Sequence, residues 1–339
     1  MSNMLRVGVV GCGFIGALHA RIMYEIPNAE LVAVSDVYEP AAKKAAENYG
    51  CKAYTDYEEM FRNEKLDAVS ITVRDDMHKE IAIKAAEAGL KILLEKPIAP
   101  TYAEGKAIAD AVEANKDKGA RLMVAQVLHF LPQYAELRDR IARGELGEIS
   151  HMFLKRTNPR SSGGISKAPI FYYIGVHDIE MMCAYAQSAP KKVYCQQVSK
   201  INKNATTARE AEDAEFMTVT YENGSVGVVE LSWALPDNSA LGINTYAEVV
   251  GSDGMGIVDI HDQGVSVYSA ASIEYPDAAH WPECNGEIVG GLRDELAHFV
   301  KATLTGGEYV VKTENALTAA KIIDGCLESI KTGMPVNID

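Results

Sequence analysis

Through the first third of the chain, short β-branched runs alternate with stretches whose apolar positions recur at helical spacing. The runs predict strands near residues 4–10, 30–36, 67–73, 90–95 and 121–127. The stretches between them predict helices at about 14–26, 39–48, 76–88 and 101–118, the second with Pro40 in its first turn and the third closed by Gly89. Strands and helices alternating in this way build βαβ units, so the expected fold is α/β with an N-terminal, doubly wound parallel sheet of the Rossmann type.

Beyond about residue 128 the pattern changes. Residues 190–270 read as strands separated by turn signals such as ENGS at 222–225 and GSDG at 251–254, which predicts an α+β region with a large, mostly antiparallel open sheet. Helices are expected at 131–143 and 170–186, and two more at about 290–304 and 313–332. With no repeat and no low-complexity linker, the change of pattern alone sets a single boundary, giving domains 1–128 and 129–339.

Composition agrees with this and narrows the partners. The 339 residues suit about two domains, and 47% hydrophobic with 24% charged residues is the balance of an ordinary folded protein. Against 33 Lys and Arg stand 47 Asp and Glu, a net charge of −14 with no basic run, so neither nucleic acid nor an anionic membrane surface is expected as a partner. No window approaches the length of a membrane-spanning helix, and the apolar run before Cys12 is too short and glycine-rich for a secretion signal. Cys12, Cys51, Cys183, Cys195, Cys284 and Cys326 form no C-x-x-C pair, so no metal site is expected and a reducing cytoplasm fits best.

The chemistry begins at LRVGVVGCGFIGALHA, where Gly11, Gly13 and Gly16 have G-x-G-x-x-G spacing directly after one expected strand and open the next helix. The first glycine makes the tight turn, the second lets a pyrophosphate approach the backbone, and the third lets helix pack on strand, with Phe14 and Ile15 in the same turn. The following strand, LVAVSD, ends in Asp36, 20 residues beyond Gly16, where a carboxylate can accept hydrogen bonds from ribose hydroxyls. Asp36 would repel a 2′-phosphate, and Val37 and Tyr38 supply no cation for one, so NAD is favoured over NADP.

The strand KILL runs into Glu95-Lys96-Pro97, and together with GCGFIGALHA this resembles the glucose–fructose oxidoreductase/inositol dehydrogenase (Gfo/Idh/MocA) family. The resemblance extends over DDMHKEIAIKAAEAG, FLPQYAELRDRIARGELGEI and ESIKTGMPVNI, nearly the whole chain. It implies an NAD-binding domain over 1–128, then a substrate-binding and oligomerisation domain over 129–339 whose open sheet covers the nicotinamide, in a homo-oligomer, dimer or tetramer. Lys96 itself lies at the carboxyl end of a parallel strand, where doubly wound folds bind ligands. Neighbouring cations or apolar groups would bring it into the range for exchanging a proton with a substrate hydroxyl.

By the same resemblance His177, in YYIGVHDIEMM, sits beside this lysine and the reacting hydroxyl, where imidazole can donate or accept. Many dehydrogenases of the family have Asp one helical turn earlier, and this chain has Tyr173, which can still hydrogen-bond substrate or Lys96 but is a poorer anion. Glu180 stands where the family often has Asp and can orient the pocket, whereas Asp178 points away around the helix, as a cap, ion-pair or interface group.

Val73-Arg74 replaces a common Thr-Pro and His78 is retained. Thr72, Val73, Arg74, His78 and Glu95 are expected along the cofactor, with Arg74 either a charged contact or a solvated loop charge. Gln126 and His129, the latter where Arg is frequent, are candidate sugar contacts. So are Arg156, Asn158, Arg160 and Trp233, since rings stack on C–H faces while amides and guanidinium groups bind hydroxyls. Trp233 reads equally as sheet core, and Tyr172, Tyr173 and Tyr185 as exposed interface residues. The function this points to is metal-free, NAD-dependent hydride transfer to or from a secondary alcohol of a sugar, polyol or glycoside, with Lys96 as acid/base. The missing Asp keeps a redox-neutral lyase or glycosidase with internal hydride recycling as an alternative, and a non-catalytic NAD- or sugar-sensing regulator is the other.

Overall fold

The computed structural model describes residues 4–160, 169–202, 212–239, 242–260, 263–270 and 272–338. Its first sheet is built from β1 (Leu5–Val10), β2 (Ala29–Ser35), β3 (Lys52–Tyr54), β4 (Ala68–Ile71), β5 (Lys91–Leu94) and β6 (Arg121–Val124), in the order β3-β2-β1-β4-β5-β6. Every pairing is parallel. The connections carry α1 (Phe14–Glu25), α2 (Glu39–Tyr49), α3 (Tyr57–Asn63), α4 (His78–Glu87) and α5 (Tyr102–Ala114). The winding reverses between β1 and β4, and a crevice at the carboxyl ends of strands flanking such a reversal is where doubly wound folds take ligands. The doubly wound expectation therefore holds. Neither β3 nor α3 was expected: β3 is three residues long with Lys52 and Ala53 exposed, so it leaves no apolar run to read.

The second sheet comprises β7 (Ile149–Pro159), β8 (Pro190–Val198), β9 (Ala214–Tyr221), β10 (Val226–Leu235), β11 (Asn244–Gly251), β12 (Met255–Asp259) and β13 (Val336–Asn337), in the order β12-β11-β7-β10-β9-β8-β13. Only β7 and β10 pair in parallel; the other ladders are antiparallel. Along β9 the buried residues Glu215, Met217, Val219 and Tyr221 alternate with the outward Phe216 and Thr218, the signature of a sheet covered on one face. The covering helices include α6 (Pro132–Ala142) and α7 (Val176–Ala186).

The chain forms two compact units, one of Met1–Phe130 with Trp281–Leu317, the other of Leu131–His280 with Thr318–Asp339. The single boundary expected at 128 thus fails for Trp281–Leu317, which returns to the first unit. In that segment α8 (Gly291–Thr305) carries an apolar stripe of Leu292, Leu296, Phe299 and Val300, which joins Val7, Val9, Ala20 and Met23 in one core. Arg121 at the start of β6 fastens the loop after α8, its guanidinium 4.3 Å from the centre of the Tyr309 ring and donating to the Gly307 carbonyl at 2.6 Å. Periodicity shows that such a helix has an apolar face, but which sheet receives it is a long-range matter. The last helix, α9, spans Thr313–Thr332, as expected.

Candidate active site

The turn after β1 requires two of its glycines outright. Gly11 has φ +94°, and a Cβ there would lie 2.7 Å from the Thr72 carbonyl oxygen. At Gly16 a Cβ would come within 1.9 Å of the Gly11 carbonyl oxygen, so helix and strand can pack only without it. Gly13 differs: a Cβ there would meet nothing within 4 Å, and no side chain caps the helix it precedes. The open space over an uncapped helix N-terminus fits a pyrophosphate, which would take hydrogen bonds from the first-turn N–H groups. The Thr72 hydroxyl is committed to the turn itself, donating to the Gly11 carbonyl at 2.8 Å.

Asp36 follows β2 directly. Its Oδ2 accepts from Cys12 N–H at 2.7 Å and its Oδ1 from Tyr38 N–H at 2.8 Å, which fixes the carboxylate beside the turn with lone pairs left on both oxygens for a ribose diol. Burial, with the Asp36 charge, pushes the Cys12 thiol up to about 12, so this cysteine is an inert neighbour. Val37 and Phe14 are exposed, and Phe14 meets Trp281 edge to face at 6.2 Å. Arg74 is exposed and ion-paired with Asp76, the loop-charge reading of the two.

Lys96 follows β5 at the same carboxyl edge of the sheet, partly buried, with a cis bond to Pro97. Beneath it lies a polar cluster. Glu95 accepts from the Lys96 backbone N–H at 3.1 Å, and its Oε1 is 3.2 Å from Nε2 of His19, whose Nδ1 is 2.7 Å from the Ser70 hydroxyl. Burial alone would raise the Glu95 carboxyl, but the His19 hydrogen bond and the charges of His19, Lys96 and His78 hold it below the ordinary carboxylate range. His78 was expected along the cofactor, and the structure corrects this. Its ring is buried between two main-chain carbonyls, Nδ1 2.9 Å from Pro97 O and Nε2 3.1 Å from Val73 O, because the chain needs a strut between the loops after β4 and β5. Burial lowers its pKa, while the hydrogen bonds to the Pro97 and Val73 carbonyls act in the opposite direction.

Gln126 and His129 are both buried, and the Gln126 amide has no hydrogen-bond partner for either its oxygen or its nitrogen among the described residues. His129 lies in the short helical turn Val127–Phe130 beside α8, and Gln126 just before it, its backbone N–H donating to Glu295.

In the second unit a π-helical turn, Phe171–Gly175, leads into α7 and carries Tyr173, four residues before His177; both side chains are partly exposed. Gly175 allows the turn to lie on β10, since a Cβ there would be 2.3 Å from Leu231 Cδ1. Burial pushes the Tyr173 phenol above its usual range, so it is a neutral hydroxyl, 6.2 Å ring to ring from Trp233. Trp233 is sheet core, its indole N–H bonded to the Glu212 carbonyl. Asn158 is nearly buried, with no hydrogen-bond partner for Oδ1 among the described residues. Arg160 is exposed, donating at 3.4 Å to the Ala234 carbonyl.

Arg156 cannot reach a ligand. It is buried on β7 and ion-paired with the fully buried Asp178 of α7, which gives Asp178 the ion-pair role among the three considered. Desolvation would lower Arg156, and the Asp178 charge reverses this. Tyr172 and Tyr185, expected at the surface, are core residues, Tyr185 donating to the Tyr134 carbonyl at 3.3 Å. Glu180 is buried as well.

His19, Ser70, Glu295 and Trp281 were not singled out from sequence. For Glu295 a signal existed: in GLRDELAHFV it stands three residues after Leu292 and next to Leu296, an acid inside an apolar stripe.

Two family models match the chain. One, described as "Oxidoreductase family, NAD-binding Rossmann fold", covers residues 5–126; the other, "GFO/IDH/MocA C-terminal domain", covers 134–256. The chain is 27% identical to the scyllo-inositol 2-dehydrogenase (NAD(+)) of Bacillus subtilis over 350 residues, spanning 100% of this chain and 98% of the relative. It is 30% identical over 233 residues to the inositol 2-dehydrogenase of Pseudarthrobacter chlorophenolicus, 68% of each chain. The solved scyllo-inositol dehydrogenase from Lactobacillus casei, with bound NAD(H) and scyllo-inositol, has the same fold, with TM-score 0.83 over 99% of both chains at 17% identity.

Proposed function

This chain belongs to the GFO/IDH/MocA oxidoreductase family, and from that premise we propose that it is an NAD-dependent dehydrogenase acting on a secondary alcohol of a polyol or sugar. The observation that carries this reading is one sheet edge: the open turn at Gly13, the anchored Asp36 and the lysine after β5 share the carboxyl ends of the strands around the winding reversal. The relatives named for inositol dehydrogenation make a cyclic polyol the first substrate class to try.

NAD, which the Gly11–Gly16 turn and Asp36 would hold, would supply the capacity to take hydride from a carbinol carbon in the oxidative direction. Lys96 removes the hydroxyl proton in that direction and returns it in the other. To His177 and Tyr173 we carry over hydrogen bonding to the alcohol oxygen, with Tyr173 as a neutral donor where relatives often hold a carboxylate. Asn158 and Gln126, with unpartnered buried amide atoms, are the further polar candidates for substrate hydroxyls.

The test is absorbance of reduced nicotinamide after mixing the protein and NAD with inositols, sugars, sugar acids and glycosides, with Lys96→Ala as control. A Lys96-dependent rise supports the reading. Calorimetrically confirmed NAD binding with no reduction, but with altered ligand, would replace it by internal hydride recycling, and unchanged ligand by a sensor.

Two further results are expected. Asp36→Ala should weaken NAD binding about tenfold or more in calorimetry, since it removes hydrogen bonds to a charged acceptor, and should narrow the preference over NADP. The outer face of the second sheet, with Phe216 and Ile257 exposed and Phe153 and Tyr246 in ring contact at 6.2 Å, is the surface we assign to self-association. Light scattering should give more than a monomer mass, and Ile257→Glu with Phe216→Glu should reduce it.

A further inference from the structure

At the end of β6, the strand paired with the one that leads to Lys96, lies an acid that the reaction does not use. Glu295 lies fully inside the first unit, on the core stripe of α8. Its carboxyl is held by the Gln126 backbone N–H, while its Oε1 has no hydrogen-bond partner among the described residues. Gln126 follows β6 just as Glu95 follows the paired β5, with Ala125 N–H donating to the Leu94 carbonyl at 2.7 Å, so the charge acting on Glu295 from the neighbouring strand end is that of Glu95. Around Glu95 stand His19 from α1, Lys96 from its own loop and His78 from α4. A second buried anion here would repel Glu95 and add to the field that keeps Lys96 protonated, against its work as a base.

We propose that Glu295 is a positioning residue for the Lys96 site: a buried carboxylic acid held at the end of β6, in its acid form, which leaves Glu95 at the end of β5 as the carboxylate next to the lysine. This deepens the dehydrogenase reading and rests on Lys96 being the acid/base. Burial and the Glu95 charge both act to raise the Glu295 carboxyl well above its ordinary range, which agrees with the geometry. The two acids are thus pushed apart, one ionised and one protonated, as paired carboxyls with divided roles are.

Proton linkage tests the neutral acid without reference to catalysis. A carboxyl raised in the folded state contributes stability that is full below the unfolded value and is lost as pH rises toward the folded one. Glu295→Gln, a neutral isostere, lacks that loss. The melting temperature of Glu295→Gln relative to the natural protein should therefore be higher at about pH 8 than at about pH 5. A difference that does not change with pH, or changes the other way, overturns the proposal.

The kinetic arm uses the pH profile of kcat for alcohol oxidation. Glu95→Gln should move the limb assigned to Lys96 to lower pH by about one unit, because the lysine loses its anionic neighbour, whereas Glu295→Gln should leave the limb in place. Glu295→Leu should lower kcat at least about tenfold with NAD affinity kept, and Glu295→Gln should recover most of that loss. A limb moved by Glu295→Gln as far as by Glu95→Gln would mean that Glu295 is ionised, and undiminished kcat in Glu295→Leu would mean it positions nothing. Full activity of Lys96→Ala would instead remove the reading beneath the proposal, and the melting comparison would still decide the state of Glu295.

Discussion

Replacing Lys96 by alanine should lower kcat by about a hundredfold to ten-thousandfold, the range over which a positioned acid/base contributes, while the Kd for NAD stays within about twofold. The split follows from where the parts sit. On the proposed reading the turn at Gly11–Gly16 and the anchored Asp36 hold the nucleotide from β1, β2 and α1, and Lys96, after β5, acts only at the reacting end. Lys96→Arg should fail nearly as badly although it keeps the positive charge, because guanidinium does not give up its proton in proteins. That comparison separates proton transfer from charge. Stopped-flow reduction of NAD with calorimetric NAD binding measures both halves, and an active Lys96→Arg would leave the lysine a purely electrostatic part.

The largest stability effect is expected in the other unit. Asp178→Ala should cost about 3–5 kcal/mol, since it leaves the Arg156 guanidinium buried without its counter-charge. Both side chains are almost fully enclosed and join β7 to α7, the helix that carries His177. The double replacement Arg156→Met with Asp178→Leu should recover most of the loss, because desolvation has already consumed much of what the pair gains by attraction. Urea unfolding of the two variants gives the comparison, and an Asp178→Ala protein as stable as the natural one would show the pair to be solvated.

These two sites differ in how far the residues announced them. Lys96 and the cradle were legible because their signals are local: glycines at fixed spacing, an acid at the next strand end, a lysine-proline at the end of an apolar run. The ion pair was half legible, since helical geometry turns Asp178 away from His177 but does not say that a strand residue 22 positions earlier receives it. Arg156, Gln126, His129 and His78 were all read as ligand contacts and are all buried. A polar side chain in a site-like segment looks the same whether it faces a substrate or its own core, and the difference lies in partners elsewhere in the chain, such as the Pro97 and Val73 carbonyls for His78.

By itself the sequence determined the alternation that winds the first sheet, the antiparallel character of the second, the nucleotide turn with its acidic partner, and the lysine at the strand end, because each is set by spacing within one or two elements. Tertiary structure alone decided that Trp281–Leu317 returns to the first unit and that Glu295 is buried against the Gln126 backbone. It also decided that His19 and Ser70 meet beneath Lys96. Those outcomes depend on which apolar face seals which sheet, a competition among surfaces far apart in the chain that local periodicity does not encode.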